Sequence, residues 1–91
     1  MAPTTRRKRT DWRSSARSAP GVDRALKRLG KRVREIRIER ELTQEEAAAR
    51  AQLDSKHLQD VEHGRTNPTV ATLVGVARAL GVSLEDIFAG V

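Results

Sequence analysis

Asp54, His57, Asp60 and His63 recur every three residues within "DSKHLQDVEH" (54–63), and carboxylate with imidazole is a metal-ligand combination. On a helix, steps of three drift around the axis, so the four side chains cannot converge on one ion. The chain has no cysteine, which removes thiolate metal sites, disulfides and redox chemistry. A helix cap plus surface residues accounts for the pattern better than a metal centre. The sequence also contains no Gly-rich phosphate loop, nucleophile elbow or activated nucleophile. The chain is expected to be no enzyme and to need no cofactor or metal.

The same stretch offers a second chemistry. Lys56, Gln59, Asp60 and His63 lie at spacings of three, four and seven, which places them on one outer face of a helix. Lysine can donate to guanine N7 and O6, glutamine can pair with adenine, and aspartate can accept from cytosine N4. Asp60 has a competing role as the intrahelical partner of Lys56, four residues earlier.

Those residues need a helix held across another element. "LTQEE" opens one helix: Thr43 is a good N-cap and Glu46, three residues on, completes a capping box. "QEEAAARA" follows, with Ala47, Ala48 and Ala51 inward. Gln52 breaks it, Asp54 caps the next helix, Leu58 and Val61 face inward, and Gly64 stops it. Isolated helices this short are marginal in water, so packing must hold the break. Two short helices joined by a tight turn form a helix-turn-helix unit. Leu53, Leu58 and Val61 tie it to the rest.

The remaining elements are also helical. Val22, Leu26, Leu29, Val33 and Ile36 recur at steps of three and four, one apolar stripe of an amphipathic helix. Gly30 weakens this helix by about 1 kcal/mol relative to Ala, which puts its expected start after Arg24. "RTNPT" is a loop with a turn at Asn67 and Pro68. A fourth helix is capped by Thr69, buries Leu73, Val76, Ala77 and Leu80, and stops at Gly81. A short fifth helix starts at Ser83, with Asp86 reinforcing its N-terminus, and is expected to bury Leu84, Ile87 and Phe88. No strand pattern is present. The expected fold is all-α, with five helices.

A chain of 91 residues has room for one modest core. No apolar run approaches the ~20 residues of a membrane span, and the basic N-terminus lacks the apolar segment of a secretory signal. The absence of cysteine suits a reducing cytoplasm. Residues 1–24 carry seven Lys/Arg against two acids, a net of +5, whereas residues 25–91 carry eleven against ten. The sequence thus divides into a basic N-terminal arm (1–24), expected to be flexible, and a helical domain (25–91). Arg6, Arg7, Lys8 and Arg9 are the core of the arm's charge, which would add sequence-independent affinity for DNA phosphates. A solubilising tail is the plainer reading of the same run. Trp12 and Phe88 are the only aromatics, which argues against a stacking platform for single strands.

With "TQEE" from Thr43, a small residue at Ala48, "LQDVEHG" from Leu58 to Gly64, "NP" at Asn67 and "ALGVSLEDIF" near the end, residues 29–88 resemble the Cro/CI-type (XRE family, lambda-repressor-like) DNA-binding domain. Three positions depart from that family's pattern. Glu41 and Gln52 stand where glycine is usual, and Ala47 replaces a larger aliphatic. The resemblance implies base readers at Ser55, Lys56 and Asp60, with Gln59 at the edge. It implies phosphate contacts at Thr43, Gln44, His63, Arg65, Thr66 and Asn67. It also implies an ion pair between Arg37 and Glu62.

The function expected is that of a transcriptional regulator, a repressor or autoregulator, binding double-stranded DNA as a homodimer on a palindromic operator. Val74, Leu84, Ile87, Phe88 and Val91 supply the apolar surplus for a two-fold interface, the plainer reading being that they close a small core. The alternative is an antitoxin or co-regulator whose main role is to grip another protein. Salt-sensitive retention of DNA separates the first reading from the second.

Overall fold

The computed structural model describes residues 19–91, so Arg6, Arg7, Lys8 and Arg9 of the basic arm lie outside the described residues. Five helices and no strand are present among the described residues: α1 (Val22–Glu39), α2 (Gln44–Ala51), α3 (Ser55–Glu62), α4 (Val70–Leu80) and α5 (Leu84–Phe88). α2 packs on α4 and on α3, α1 crosses α3, and α5 closes against α1 and α4.

Local chemistry explains most of the boundaries. Thr43 and Glu46 form the reciprocal capping box: the Glu46 N–H donates to Thr43 Oγ1 at 3.0 Å and the Thr43 N–H to Glu46 Oε1 at 2.8 Å. Ser83 and Asp86 repeat it at α5, with both bonds at 3.0 Å. Thr69 Oγ1 accepts from the Thr72 N–H at 3.1 Å. Asp54 occupies the N-cap position of α3, yet its side chain makes no capping bond. Glu41 and Gln52 end α1 and α2 in the left-handed region, at φ 58° and 59°. After each, a backbone N–H reaches back in the Schellman pattern: Leu42 to the Arg37 carbonyl at 3.1 Å, Leu53 to that of Ala48 at 2.8 Å. The two departures from the glycine pattern therefore keep the glycine conformation.

α1 begins at Val22, three residues before the start expected from Gly30. Gly30 lies at a helix crossing. A Cβ there would run into the carbonyl oxygens of Val61 and Glu62, so the missing side chain lets α1 press directly on the end of α3. The same crossing continues at Gly64, where a Cβ would sit 3.0 Å from Lys27 Cα.

The core lies between these helices. Val33, Leu58, Val61, Val76 and Ile87 are the largest fully buried side chains, and all but Val61 pack in one cluster with Leu29, Ile36, Leu73 and Leu80. Each such aliphatic contributes about 1.5–3 kcal/mol by burial. Ala47 and Ala48 are almost fully enclosed, which brings α2 close to α4. Ile87 has no exposed surface, so its assignment to a dimer interface is corrected: it belongs to the core. α5 is one turn long and can bury only one face, and Ile87 sits at its centre. Leu84 and Val91 pack half-buried against the same core. Val74 and Phe88 remain exposed at 41% and 43%, and Val70 on the same helix as Val74 reaches 66%.

Candidate nucleic-acid interface

α3 is fixed by what lies beneath it. Leu58 and Val61 anchor its inner face in the core, and Glu62 beside them is buried and charged. Arg37 of α1 reaches it through two parallel bonds, Nε to Oε2 at 2.6 Å and Nη2 to Oε1 at 3.1 Å. Arg37 Nη1 also donates to the Leu42 carbonyl at 2.8 Å. A bidentate arginine–carboxylate pair sets angle as well as distance, so α3 is locked to α1 and to the turn before α2. The Gln44 amide completes the cluster, with Nε2 donating to Glu62 Oε1 at 3.0 Å. No buried side-chain polar atom among the described residues lacks a partner.

That last bond revises one sequence expectation. The family resemblance implies a phosphate contact at Gln44, but its side-chain amide is turned inward onto Glu62. Glu62 comes from the third helix, eighteen residues away, and only the tertiary fold brings it there. What Gln44 offers outward is its backbone N–H at the first turn of α2, where the helix dipole favours an anion. Glu45 and Glu46 lie in the same turn.

The outer face of α3 carries Ser55, Lys56, Gln59 and Asp60. Ser55 and Lys56 are exposed, Gln59 and Asp60 half-buried. Lys56 Nζ lies 3.4 Å from both carboxylate oxygens of Asp60. Arg65, just beyond α3, donates from Nε to Asp60 Oδ1 at 3.2 Å. Asp60 thus stands between two cations, a partner for Lys56 and an orienting group for Arg65. Reading cytosine with Asp60 would mean giving up part of that arrangement. His63 Nδ1 lies 2.8 Å from the Gln59 carbonyl, a bond that requires the proton on Nδ1. His63, Arg65 and Asn67 are exposed and Thr66 half-buried, so the loop after α3 presents its polar groups to solvent.

A shallow groove of about 610 Å³ runs between α1, the start of α2 and the end of α3, lined by Lys31, Arg34, Thr43, Gln44, Glu45 and His63 above the buried ion pair. It joins the α2 N-terminus to the loop after α3, and its α1 wall is basic. A helix with hydrogen-bonding side chains on its outer face, flanked on one side by a dipole and on the other by a polar loop carrying Arg65, has the groups required to enter a major groove with a backbone strand held beside it.

The helix-turn-helix family HTH_3 matches residues 33–87, more than half of the chain. The HTH-type transcriptional regulator DdrOP3 of Deinococcus deserti is 41% identical over 64 residues, covering 70% of this chain and 50% of that protein. The immunity repressor protein of Bacillus phage phi105 is 44% identical over 59 residues, covering 65% of this chain and 41% of the repressor. The chain therefore spans about half the length of these two relatives. Among solved structures, the restriction-modification controller protein C.AhdI from Aeromonas hydrophila superposes with a TM-score of 0.68 at 32% identity, covering 69% of this chain and 96% of that one.

Proposed function

Because the chain belongs to the helix-turn-helix family HTH_3, we propose that it is a transcriptional regulator of the repressor or autoregulator kind, acting as a homodimer on a palindromic DNA site. The observation that carries this reading is the geometry around α3. Its inner face and its buried Glu62 are fixed, its outer face is free, and the phosphate-type groups of α2 and the following loop lie on either side. The names of its relatives, among them an immunity repressor, favour repression.

Roles follow from the hydrogen bonds each residue has left. Ser55, Lys56 and Gln59 meet base edges. Lys56 pivots on Asp60 and has a further N–H donor to offer to guanine O6 or N7. Asp60 positions Lys56 and Arg65 and approaches a base only as the centre of that trio. Thr43, His63, Arg65, Thr66, Asn67 and the Gln44 N–H hold phosphates, which sets register without carrying sequence information.

The dimer is built on Val70, Val74 and Phe88. A lone recognition helix covers few base pairs, and a two-fold pair matches half-sites about 34 Å apart. These exposed aliphatic and aromatic side chains on α4 and α5 are the apolar surface offered to a two-fold partner. The experiment is selection of bound duplexes from a random pool with the full 91-residue chain. The expected outcome is enrichment of a palindrome whose half-sites are one helical turn apart. A pool that stays random after selection would refute sequence-specific binding.

A further inference from the structure

α1 does more than the family reading asks of it. Arg24, Lys27, Arg28, Lys31 and Arg34 are spread along its length, outside the core. At 100° per residue, Lys27, Lys31 and Arg34 fall on one narrow stripe beside Gly30 and Arg37, on the side of the helix that faces α3. The crossing at Gly30 and Gly64 brings the helix backbone against the end of α3, so this stripe borders the recognition helix. Lys31 and Arg34 form one wall of the groove whose other walls are Thr43, Gln44 and His63. Lys27 and Lys31 continue into a second shallow groove higher on the same helix, with Arg24 and Arg28. The basic row is therefore continuous with the proposed phosphate contacts.

Its charges are also unspent. Among the described residues, the salt bridges join Arg37 to Glu62 and Lys56 and Arg65 to Asp60, and none involves Lys27, Lys31 or Arg34. The nearby acids are Asp23 and Glu35 on α1 and Glu45 at the groove's edge, all exposed. From Lys27 to Arg34 the row spans about 10 Å of helix axis, long enough for more than one phosphate.

We propose that Lys27, Lys31 and Arg34 form a second phosphate track, which holds the sugar–phosphate backbone of duplex DNA along α1 while α3 occupies the major groove. The proposal deepens the DNA-binding reading and rests on it. The track contributes affinity that is blind to sequence, because a lysine or arginine on a phosphate reads no base. It also offsets the scarcity of cations in the loop after α3, where Arg65 stands alone and is partly engaged by Asp60.

The test is the salt dependence of binding to two duplexes of equal length, the selected site and an unrelated sequence. The proteins are wild type, a Lys27→Gln/Lys31→Gln/Arg34→Gln variant, and an Arg50→Gln/Arg78→Gln control. Arg50 and Arg78 line a separate groove between α2 and α4, so the control lowers net charge away from the track. The triple variant is expected to flatten the log–log slope by about 2.7, at roughly 0.9 for each phosphate no longer neutralised. Preference between the two duplexes should stay as in wild type, and the control slope should be unchanged. Melting curves matched to wild type show that the substitutions leave the fold intact. A triple-variant slope within about 0.9 of wild type would overturn the track, as would an equal change per charge in the control. Absence of any salt-sensitive duplex binding by wild type would instead overturn the DNA-binding reading itself.

Discussion

Glu62→Ala is the most informative single change to the scaffold. The Glu62 side chain is 0% exposed and that of Arg37 11%. Removing the carboxylate costs Arg37 both bonds to it, leaving the one to the Leu42 carbonyl, and strands the Gln44 amide as well. A buried charge deprived of its partner costs about 3–5 kcal/mol. At about 0.05–0.15 kcal/mol per residue, the described residues 19–91 are stable by only about 4–11 kcal/mol in total. With about 4–8 °C per kcal/mol for a domain this small, the melting temperature should fall by at least about 12 °C. Glu62→Gln keeps the shape and one carbonyl acceptor and should fall between wild type and Glu62→Ala. Arg37→Met combined with Glu62→Leu removes both charges and should recover part of the loss. The assay is thermal and urea unfolding followed by circular dichroism. A Glu62→Ala loss below about 1 kcal/mol would refute the claim that this pair clamps α3 to α1.

Three further outcomes are expected. Gln52→Gly should raise stability by about 0.5–1 kcal/mol in urea unfolding, because a left-handed non-glycine residue costs about 1–2 kcal/mol and glycine's extra unfolded-state entropy returns part of it; an unchanged midpoint would show the φ of 59° to be unstrained. Glu46 and Asp86 are held below the ordinary carboxylate range, first by the backbone N–H of their N-cap residue and then by its hydroxyl. Because the folded values are depressed, the stabilisation is present above the unfolded pKa and is lost as pH falls through the folded one. Glu46→Gln should therefore flatten the acid limb of a melting-temperature titration, and an identical limb would exclude the capping box as its source. Val74→Asp and Phe88→Asp should convert a micromolar dimer to monomer in sedimentation equilibrium without loss of helicity, whereas Ile87→Asp should unfold the chain because that residue has no exposed surface. A wild-type monomer at every concentration, binding one half-site per protein, would refute the dimer.

The parts of this fold set by neighbouring residues are legible in the sequence, and those set by tertiary approach are not. The boxes at Thr43–Glu46 and Ser83–Asp86 need only a three-residue spacing, and α2 runs over the octapeptide that spacing implies. The outer face of α3 is legible because helical periodicity orders it. Gly30 shows only as a weak helix position, since its purpose depends on Val61 and Glu62, more than thirty residues away. The inward turn of Gln44 onto Glu62 is hidden for the same reason, whereas the second cation on Asp60 is hidden because Arg65 lies past the end of α3, where helical periodicity no longer orders side chains. The sequence leaves Ile87 between core and interface because a five-residue helix has too few positions for periodicity to separate the two. Val70 gives no signal beyond hydrophobicity at a helix's first position, although it is more exposed than Val74 or Phe88.

The central claim is that the outer face of α3 distinguishes bases, and Lys56→Ala tests it most directly. Lys56 is exposed, held only by Asp60, and supports no part of the core, so its loss leaves the scaffold intact. Binding of wild type and variant should be measured on the selected site and on every single-base change of it, at one salt concentration. The expected result is a loss of about 1–3 kcal/mol on the preferred site, with discrimination relaxed at one base position and kept at the others. An equal loss on every sequence would contradict the account, because Lys56 would then be only a phosphate contact.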